Sequence, residues 1–386
     1  MTAISSGVAG TWVDGAERMT SGRVHAVVNP ATDEVVAELA TAEPADVEAA
    51  VASARAALPE WAGATPADRS AVVHRLAELM DHHADGLVAE EVGQTGKPVR
   101  LATEFDVPGS VDNVAFFAGA ARRLEGKATA EYSADHTSSI RREAVGVVAT
   151  ITPWNYPPQM AVWKVIPALI NSGQDCTAAT RAIVARDLYD NFVAGVAEVM
   201  ARVVVGDPND ADTDLGPLIS LAHRDKVAGI VARAPADGAR VVTGGAVPDG
   251  PGAFYPPTLL ADVDERSEAY RDEIFGPVLT VRAHDGDDDA LRQANDTEYG
   301  LAASAWTRDV YRAQRASREI KAGCVWINDH IPIISEMPHG GVGASGFGKD
   351  MSDYSLEEYL TIKHVMSDIT GVAEKPWHRT VFKNRT

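Results

Sequence analysis

The amino-acid sequence predicts an α/β fold, and two observations carry this prediction. In the second half of the chain, stretches with helical spacing of apolar residues alternate with short apolar strands such as residues 324–328, a pattern typical of α/β proteins. Residues 145–151, Val-Gly-Val-Val-Ala-Thr-Ile, form a β-branched run of the kind that makes a buried parallel strand. The helices predicted in the second half cover residues 188–203, 222–233, 287–295 and 310–320.

The first half begins with short strands over residues 11–40 and continues with helices. In residues 44–58 the apolar side chains repeat at helical spacing. Thr65, with Asp68 three positions later, predicts the start of a second helix. The remaining predicted elements of this half are a helix over residues 111–124 and an exposed hairpin over residues 128–142.

Composition excludes some classes of partner. The chain has 386 residues, enough for two or three domains, and its 55 acidic against 35 basic residues give a formal charge of −20. This excess argues against nucleic acid and against an anionic membrane, which both bind clustered Lys and Arg. The sequence contains neither a basic leader nor an apolar run of membrane-spanning length. With two cysteines it predicts a reduced, cytoplasmic protein.

Two phosphate-binding patterns near the C-terminus lack the context that they need. Residues 341–346 fit a dinucleotide-binding fingerprint, but no strand directly precedes them. Residues 343–349 fit a Walker A loop, except that Asp350 takes the Ser/Thr position and would repel phosphate. We therefore predict a glycine-rich loop here, without a phosphate site.

The two cysteines stand in different surroundings. A lone cysteine is more often an inert buried side chain than a nucleophile. Cys176, however, follows Asn171-Ser-Gly-Gln-Asp, where a flexible approach and backbone N–H groups would expose the thiol and lower its pKa. Cys324 lies in the apolar strand Gly-Cys-Val-Trp-Ile and is predicted to be inert.

Several motifs of the chain occur together in a fixed order. They are Thr152-Pro-Trp-Asn-Tyr-Pro, Gly173-Gln-Asp-Cys-Thr-Ala, Glu273-Ile-Phe-Gly-Pro-Val and Pro338-His-Gly-Gly, with weaker matches at Thr95-Gly-Lys-Pro, Arg141-Arg-Glu and residues 359–363. Together these motifs resemble the aldehyde dehydrogenase superfamily and follow its order over nearly the whole chain. The segment around Cys176 and the closing Met-Pro-His-Gly-Gly are most similar to the branch that oxidises 4-aminobutyraldehyde and related amino-aldehydes.

The resemblance implies thiolate chemistry on an aldehyde with NAD or NADP as cofactor and no metal. Cys176 would attack the carbonyl, and the oxyanion would be held by the Asn155 amide and the Cys176 backbone N–H. Trp154, Glu273 and Phe275 would contact the nicotinamide end of the cofactor. The residues assigned to the substrate are Tyr156, Met160, Trp163, Asp175 and Thr177.

Reasoning from the residues alone leaves alternatives open. Asn155 could close a turn before a proline, residues 273–275 could be an ordinary helix end, and Trp163 could be a core residue. Asp175, or one of the carboxylates at Glu104, Asp106 and Asp112, could receive a substrate ammonium group.

The resemblance also implies a domain organisation. Residues 1–126 and 146–170 would be what remains of a Rossmann-type cofactor-binding domain, and residues 171–354 an α/β catalytic domain. Residues 127–145 and 355–367 would be oligomerisation strands of a homodimer or homotetramer, followed by a tail at 368–386.

The chain departs from the family between its two best-matched halves. Cys176 follows Asn155 by only 21 positions. The family has a Lys-Pro-x-Glu motif, a Gly-Ser-Thr turn and a Glu-Leu-Gly-Gly motif in this interval. We infer that roughly a hundred residues, about three βαβ units of ~30 residues each, are absent between Leu169 and Asn171.

The absent segment would carry the adenosine and pyrophosphate contacts and the glutamate that activates the deacylating water. Three functions therefore stay open at this point. They are NAD(P)-dependent oxidation of an aldehyde, a non-catalytic structural subunit of aldehyde dehydrogenase oligomers, and a cofactor-independent thiol esterase.

Overall fold

A computed structural model describes residues 8–123, 129–164 and 174–375 of the chain. Its strands are β1 (Thr11–Val13), β2 (Ala16–Arg18), β3 (Val24–Val28), β4 (Val35–Ala40), β5 (Ala130–Ser133), β6 (His136–Ala144), β7 (Arg181–Ala185), β8 (Arg240–Thr243), β9 (Thr258–Ala261), β10 (Val278–His284), β11 (Ala302–Ala305), β12 (Cys324–Ile327) and β13 (Leu360–Asp368). Its α-helices are α1 (Pro44–Gly63), α2 (Pro66–His82), α3 (Ala84–Thr95), α4 (Val99–Leu101), α5 (Val107–Ala120), α6 (Pro157–Lys164), α7 (Tyr189–Met200), α8 (Leu221–Arg233), α9 (Glu268–Arg271), α10 (Asp287–Asn295), α11 (Val310–Glu319) and α12 (Ser352–Glu358).

A four-stranded sheet in the order β7-β10-β9-β8 organises the second half of the chain. Strand β10 pairs in parallel with β7 and β9, and β8 is antiparallel to β9. Every residue of β9 is buried because helices cover both faces of the sheet. Leu259 points to the face that packs against α7, and Leu260 to the face that packs against α8. The predicted α/β fold is thus confirmed for this half.

A second sheet, in the order β13-β6-β5, is antiparallel and contains the predicted hairpin. Strands β13 and β6 pair over nine positions, from Leu360 opposite Ala144 to Asp368 opposite His136. The prediction of a strand from residue 355 is wrong, because α12 occupies this stretch and the strand begins at Leu360. β-branched residues, which favour strands, occur only after that point.

The predicted buried strand over residues 145–151 is wrong. Residues 145–153 are in no strand, and the Ile151 side chain is 89% exposed. The Val145 N–H donates to the Tyr359 carbonyl at the end of the second sheet, and the chain then leaves that sheet. An interior parallel strand needs a hydrogen-bonded neighbour on each side, and in the described part of the chain this segment has neither.

The N-terminal helices form a layer whose outer apolar residues stay exposed. Helices α2 and α5 pack through Ala77 and Val114. The predicted start of α2 is confirmed, since Thr65 and Asp68 form a reciprocal capping box. Helix α1, in contrast, buries none of its residues fully, and its Trp61 is 46% exposed. Part of the apolar surface of this layer is therefore not covered by other described residues.

Two further predictions concern the C-terminal part of the chain. Residues 341–346 form the predicted glycine-rich loop, with one 3₁₀ turn at Gly343–Ser345. The tail after residue 375 lies outside the described residues. Among the residues that the structure describes, no helix combines the length and apolar character that crossing a membrane requires.

The burial of β9 predicts a large stability cost for shortening its side chains. Leu260→Ala should lower the free energy of unfolding by about 2–5 kcal/mol, because it leaves a cavity between the sheet and α8. Urea unfolding followed by circular dichroism measures this change. Leu188→Ala, at a position 56% exposed, serves as the control and should change stability by less than about 0.5 kcal/mol. Equal losses in both variants would contradict this account of the core.

Candidate active site

The parallel pairing of β7 and β10 brings two loops of the predicted site to one edge of the sheet. Arg181 lies opposite Thr280 in the register. Cys176 and Phe275 each precede these partners by five residues, so both loops enter the sheet side by side. The edge thereby joins the predicted nucleophile to the predicted cofactor segment.

Cys176 is exposed, whereas its two neighbours are buried. The Asp175 carboxylate holds this turn from one side, since its Oδ1 accepts hydrogen bonds from both the backbone N–H and the Oγ1 hydroxyl of Thr177, each at 2.6 Å. From the other side, His330 Nε2 donates to the Thr177 carbonyl at 3.0 Å. Residues 175–177 are therefore clamped around the cysteine.

Asn155 reaches the same turn from the residues before α6. Its side chain is buried, and its Nδ2 donates to the Gln174 carbonyl at 3.0 Å. Gln174 is itself tied to the start of α8, because its Oε1 accepts from the Ile219 N–H at 2.9 Å. The structure thus brings the predicted oxyanion donor beside the nucleophile segment.

Three rings form an aromatic corner next to this turn. The Trp154 ring centroid lies 5.6 Å from that of Phe275 and 5.8 Å from that of His223, both in edge-to-face contact. His223 Nε2 also donates to the Phe275 carbonyl at 2.7 Å. Phe275 has a φ of +59°, which is uncommon for a bulky residue and is held by this contact. His223 was not predicted, since nothing in its helical segment marks it.

Glu273 is exposed and lies two residues before Phe275 of the aromatic corner. Desolvation by neighbouring protein atoms raises the pKa of its carboxyl, and Lys226 opposes that shift. The Glu273 charge acts on Cys176, which places the two side chains at one site. The position suits a carboxylate that accepts hydrogen bonds from a ligand.

The remaining predicted substrate residues lie behind the turn. Tyr156 and Met160 are buried and pack with Met351 and Ile333. The Tyr156 hydroxyl donates to Asp175 Oδ2 at 3.4 Å. The side chain of Trp163, in α6, lies outside the described part of the structure.

Of the three carboxylates that were alternatives for an ammonium group, two have other partners and one is exposed. Asp106 is buried and pairs with Lys97, a residue that the sequence analysis noted only within a weak motif. Asp112 Oδ2 accepts from the Ser335 hydroxyl at 2.7 Å. Glu104 is exposed.

The electrostatic setting of Cys176 disfavours its thiolate. Protein atoms around the sulfur exclude much of the water, although the residue is exposed. This desolvation, and next the Asp175 carboxylate, raise the pKa of the thiol to about 12, with smaller contributions from Glu273 and Asp350. At neutral pH the thiol is therefore protonated, and it needs a base or a nearby cation to react.

A family model and the similar solved structures point to the same protein family. A model of the aldehyde dehydrogenase family matches residues 16–172 and 168–365. The betaine aldehyde dehydrogenase of Staphylococcus aureus in complex with NAD⁺ superposes with a TM-score of 0.90 at 25% identity, over 95% of this chain and 96% of that chain. An apo mutant of the same enzyme superposes with a TM-score of 0.90 at 26% identity, over 95% of this chain and 97% of that chain. The NAD⁺ complex of an aldehyde dehydrogenase from Bacillus cereus superposes with a TM-score of 0.89 at 25% identity, over 94% of this chain and 97% of that chain.

The raised thiol pKa predicts how Cys176 reacts with iodoacetamide. Because the thiolate fraction grows tenfold per pH unit below the pKa, alkylation should accelerate about tenfold per unit from about pH 7 to about pH 10 without a plateau. Asp175→Asn removes the anion that raises the thiol pKa most and should shift the rate profile to lower pH. A Cys324→Ala background leaves one reactive thiol, and free glutathione serves as the reference. A plateau near pH 9 in the unsubstituted chain would contradict the prediction.

Proposed function

The chain belongs to the aldehyde dehydrogenase family, and on that premise we propose that it oxidises an aldehyde to the acid with NAD or NADP, using Cys176 as the nucleophile. One observation carries this proposal. Cys176 is exposed on a clamped turn, with the Asn155 amide held against the adjacent Gln174 carbonyl. A fixed nucleophile beside a preorganised hydrogen-bond donor is what addition to a carbonyl requires.

The first chemical step starts from the thiolate form of Cys176, after the thiol proton has passed to a base in the solvent. The sulfur then bonds to the aldehyde carbon, and the electron pair of the carbonyl π bond moves to the oxygen as negative charge. Asn155 stays beside this oxygen because its hydrogen bond to Gln174 fixes the amide. The Cys176 backbone N–H is the second donor that the resemblance implies. Removal of one such donor typically costs about 3 kcal/mol of transition-state stabilisation.

The nicotinamide end of a cofactor fits the aromatic corner. Trp154 and Phe275 would supply ring surfaces, and the exposed Glu273 would supply a carboxylate for ribose hydroxyls. When bound, the nicotinamide accepts the hydride that leaves the substrate carbon. Its positive charge would also oppose the anions around Cys176 and lower the thiol pKa.

We infer that the segment which carries the family's contacts to the adenosine end of the cofactor is absent. Two observations support this inference. The two pieces of the family match meet at residues 168–172, where the sequence analysis places the junction. Residues 145–153 have the composition of an interior strand, yet they lie exposed without neighbouring strands in the described structure. We therefore propose weak cofactor binding through the nicotinamide end.

We also propose an amino-aldehyde as the substrate. The proposal is supported by the motifs around Cys176 and Met337, and by the net charge of −20, which favours a cationic ligand. Asp175 is an unsuitable partner for the ammonium, because its oxygens are committed to Thr177 and Tyr156.

A homo-oligomer is the proposed assembly. Strand β13 is an edge of its sheet, and it exposes Ile362 and Met366 over a length of nine residues. An edge of this length and apolarity favours pairing with another chain.

NADH formation tests the proposed oxidation. With 4-aminobutyraldehyde and NAD⁺, the purified chain should form NADH, and Cys176→Ala should abolish this activity. Asn155→Ala should lower kcat/KM by about 100- to 1000-fold, the effect of losing one oxyanion donor. Cys324→Ala controls for cysteine loss elsewhere and should retain full activity. A monodisperse, folded chain that forms no NADH with either NAD⁺ or NADP⁺ would exclude the oxidation.

Ester hydrolysis is a second candidate activity, because thiol addition and oxyanion stabilisation need no cofactor. We expect hydrolysis of p-nitrophenyl acetate that is lost in Cys176→Ala and kept in Cys324→Ala. Absorbance of the released nitrophenolate measures the rate, and the high thiol pKa predicts a rise in rate with pH. Unchanged hydrolysis in Cys176→Ala would place the activity elsewhere on the protein.

A further inference from the structure

A completely buried charge cluster lies behind the nucleophile turn. It consists of Glu91, Lys97 and Asp106, each at most 2% exposed. The Lys97 ammonium contacts Glu91 Oε1 and Asp106 Oδ2. Two carboxylates thus share one ammonium in the interior.

The local backbone is built to send these side chains inward. Helix α3 ends at Gly96, whose φ of +73° turns the chain, and a Cβ there would lie 2.5 Å from the Pro217 side chain. Lys97 follows directly and enters the interior. A π-helical turn at Ala102–Asp106 then presents Asp106 to the ammonium before α5 begins. Such turns are rare and are frequent at functional sites.

The contribution of this cluster to the stability of the fold does not by itself explain its presence. Burial raises the pKa of Asp106 to about 7, and it also raises the pKa of Glu91, although Lys97 opposes both shifts. Glu91 Oε2 and Asp106 Oδ1 are buried without a hydrogen-bond partner in the described structure. Replacement of buried ion pairs by apolar residues is often neutral or stabilising, so a cluster with unmatched oxygens points to another role.

A line of buried contacts joins the cluster to Cys176. The Lys97 ammonium lies 3.7 Å from the centre of the Tyr156 ring, in cation–π contact. The Tyr156 hydroxyl donates to Asp175 Oδ2, and Asp175 Oδ1 holds Thr177. Cys176 stands between Asp175 and Thr177. Every member of the line is more than nine-tenths buried, whereas Cys176 is exposed.

We propose that Lys97 is a positioning residue for the nucleophile, and that it acts on Cys176 through Tyr156 and Asp175. The ammonium fixes the Tyr156 ring, the phenol orients the Asp175 carboxylate, and that carboxylate shapes the turn that carries the thiol. The anions that act on the thiol are Asp175, Glu273 and Asp350. A buried cation behind Asp175 opposes the field of the carboxylate that it faces. This inference rests on the proposed role of Cys176, but its test uses thiol chemistry and needs no turnover.

A double-mutant cycle tests the proposal. In a Cys324→Ala background, Cys176 alkylation by iodoacetamide and the ultraviolet absorbance of its thiolate against pH are measured for Lys97→Met, Asp175→Asn and the double variant. Lys97→Met should slow alkylation by about threefold or more, a size ordinary for coupled residues of one network, and should move the thiolate titration to higher pH. In the Asp175→Asn background the same substitution should change neither quantity.

Arg100→Met is the matched control. It removes one cation three residues along the chain, where Arg100 forms an exposed ion pair with Asp214, and it should leave the Cys176 thiol unchanged. If Lys97→Met fails to fold, Tyr156→Phe keeps the ring over Lys97 and removes only the hydroxyl. It should change the alkylation rate by about twofold or more, and this change should disappear with Asp175→Asn.

Two results would overturn the proposal. One is a Lys97→Met or Tyr156→Phe protein that is less stable to heat but has the wild-type thiol rate and titration. The other is an effect that persists undiminished in the Asp175→Asn background, since Lys97 would then act by another route. If the cycle shows coupling while no NADH forms, the positioning role stands and the proposed oxidation fails.

Discussion

The register between β7 and β10 is the constraint on which the candidate site depends. Two adjacent parallel strands begin at the same edge of the sheet, so the loops that lead into them are neighbours whatever their distance along the chain. One loop carries Cys176, and the other carries Glu273 and Phe275. The buried strand β9 holds β10 in place from its other side, and helices on both faces secure β9. Core packing in this half of the chain is therefore what sets the geometry of the chemistry.

The sequence predicted those elements whose cause is local. Helix α10 was predicted with its observed bounds, and the Thr65 cap with its partner, because periodicity and capping act within a few residues. The prediction failed at residues 145–151, where β-branched composition is only one requirement of an interior strand. Lys97 and His223 contact partners that are distant in sequence, Tyr156 and Phe275 respectively. No local pattern reveals that Lys97 lies over the Tyr156 ring, because Gly96 and the packing of α6 decide it.

The site joins two regions of different character. The part built on the four-stranded sheet carries Cys176, Glu273 and Phe275 on the loops that lead into β7 and β10. The N-terminal helices meet it through Asn155, Tyr156 and the Lys97 cluster, yet they leave apolar surface uncovered. If the adenosine-binding segment is absent, as proposed above, chemistry at sulfur and recognition of a large cofactor become separable properties.

The exposed segment at residues 145–153 affects how the protein associates with itself in solution. It is apolar and rich in β-branched residues, it contains no charged residue, and its Ile151 faces water. Segments of this composition associate with copies of themselves through cross-β pairing when they are left uncovered. The tendency grows with protein concentration, and the overall negative charge opposes it by keeping chains apart. Protein concentration and salt are therefore expected to govern how strongly this chain associates with itself in solution.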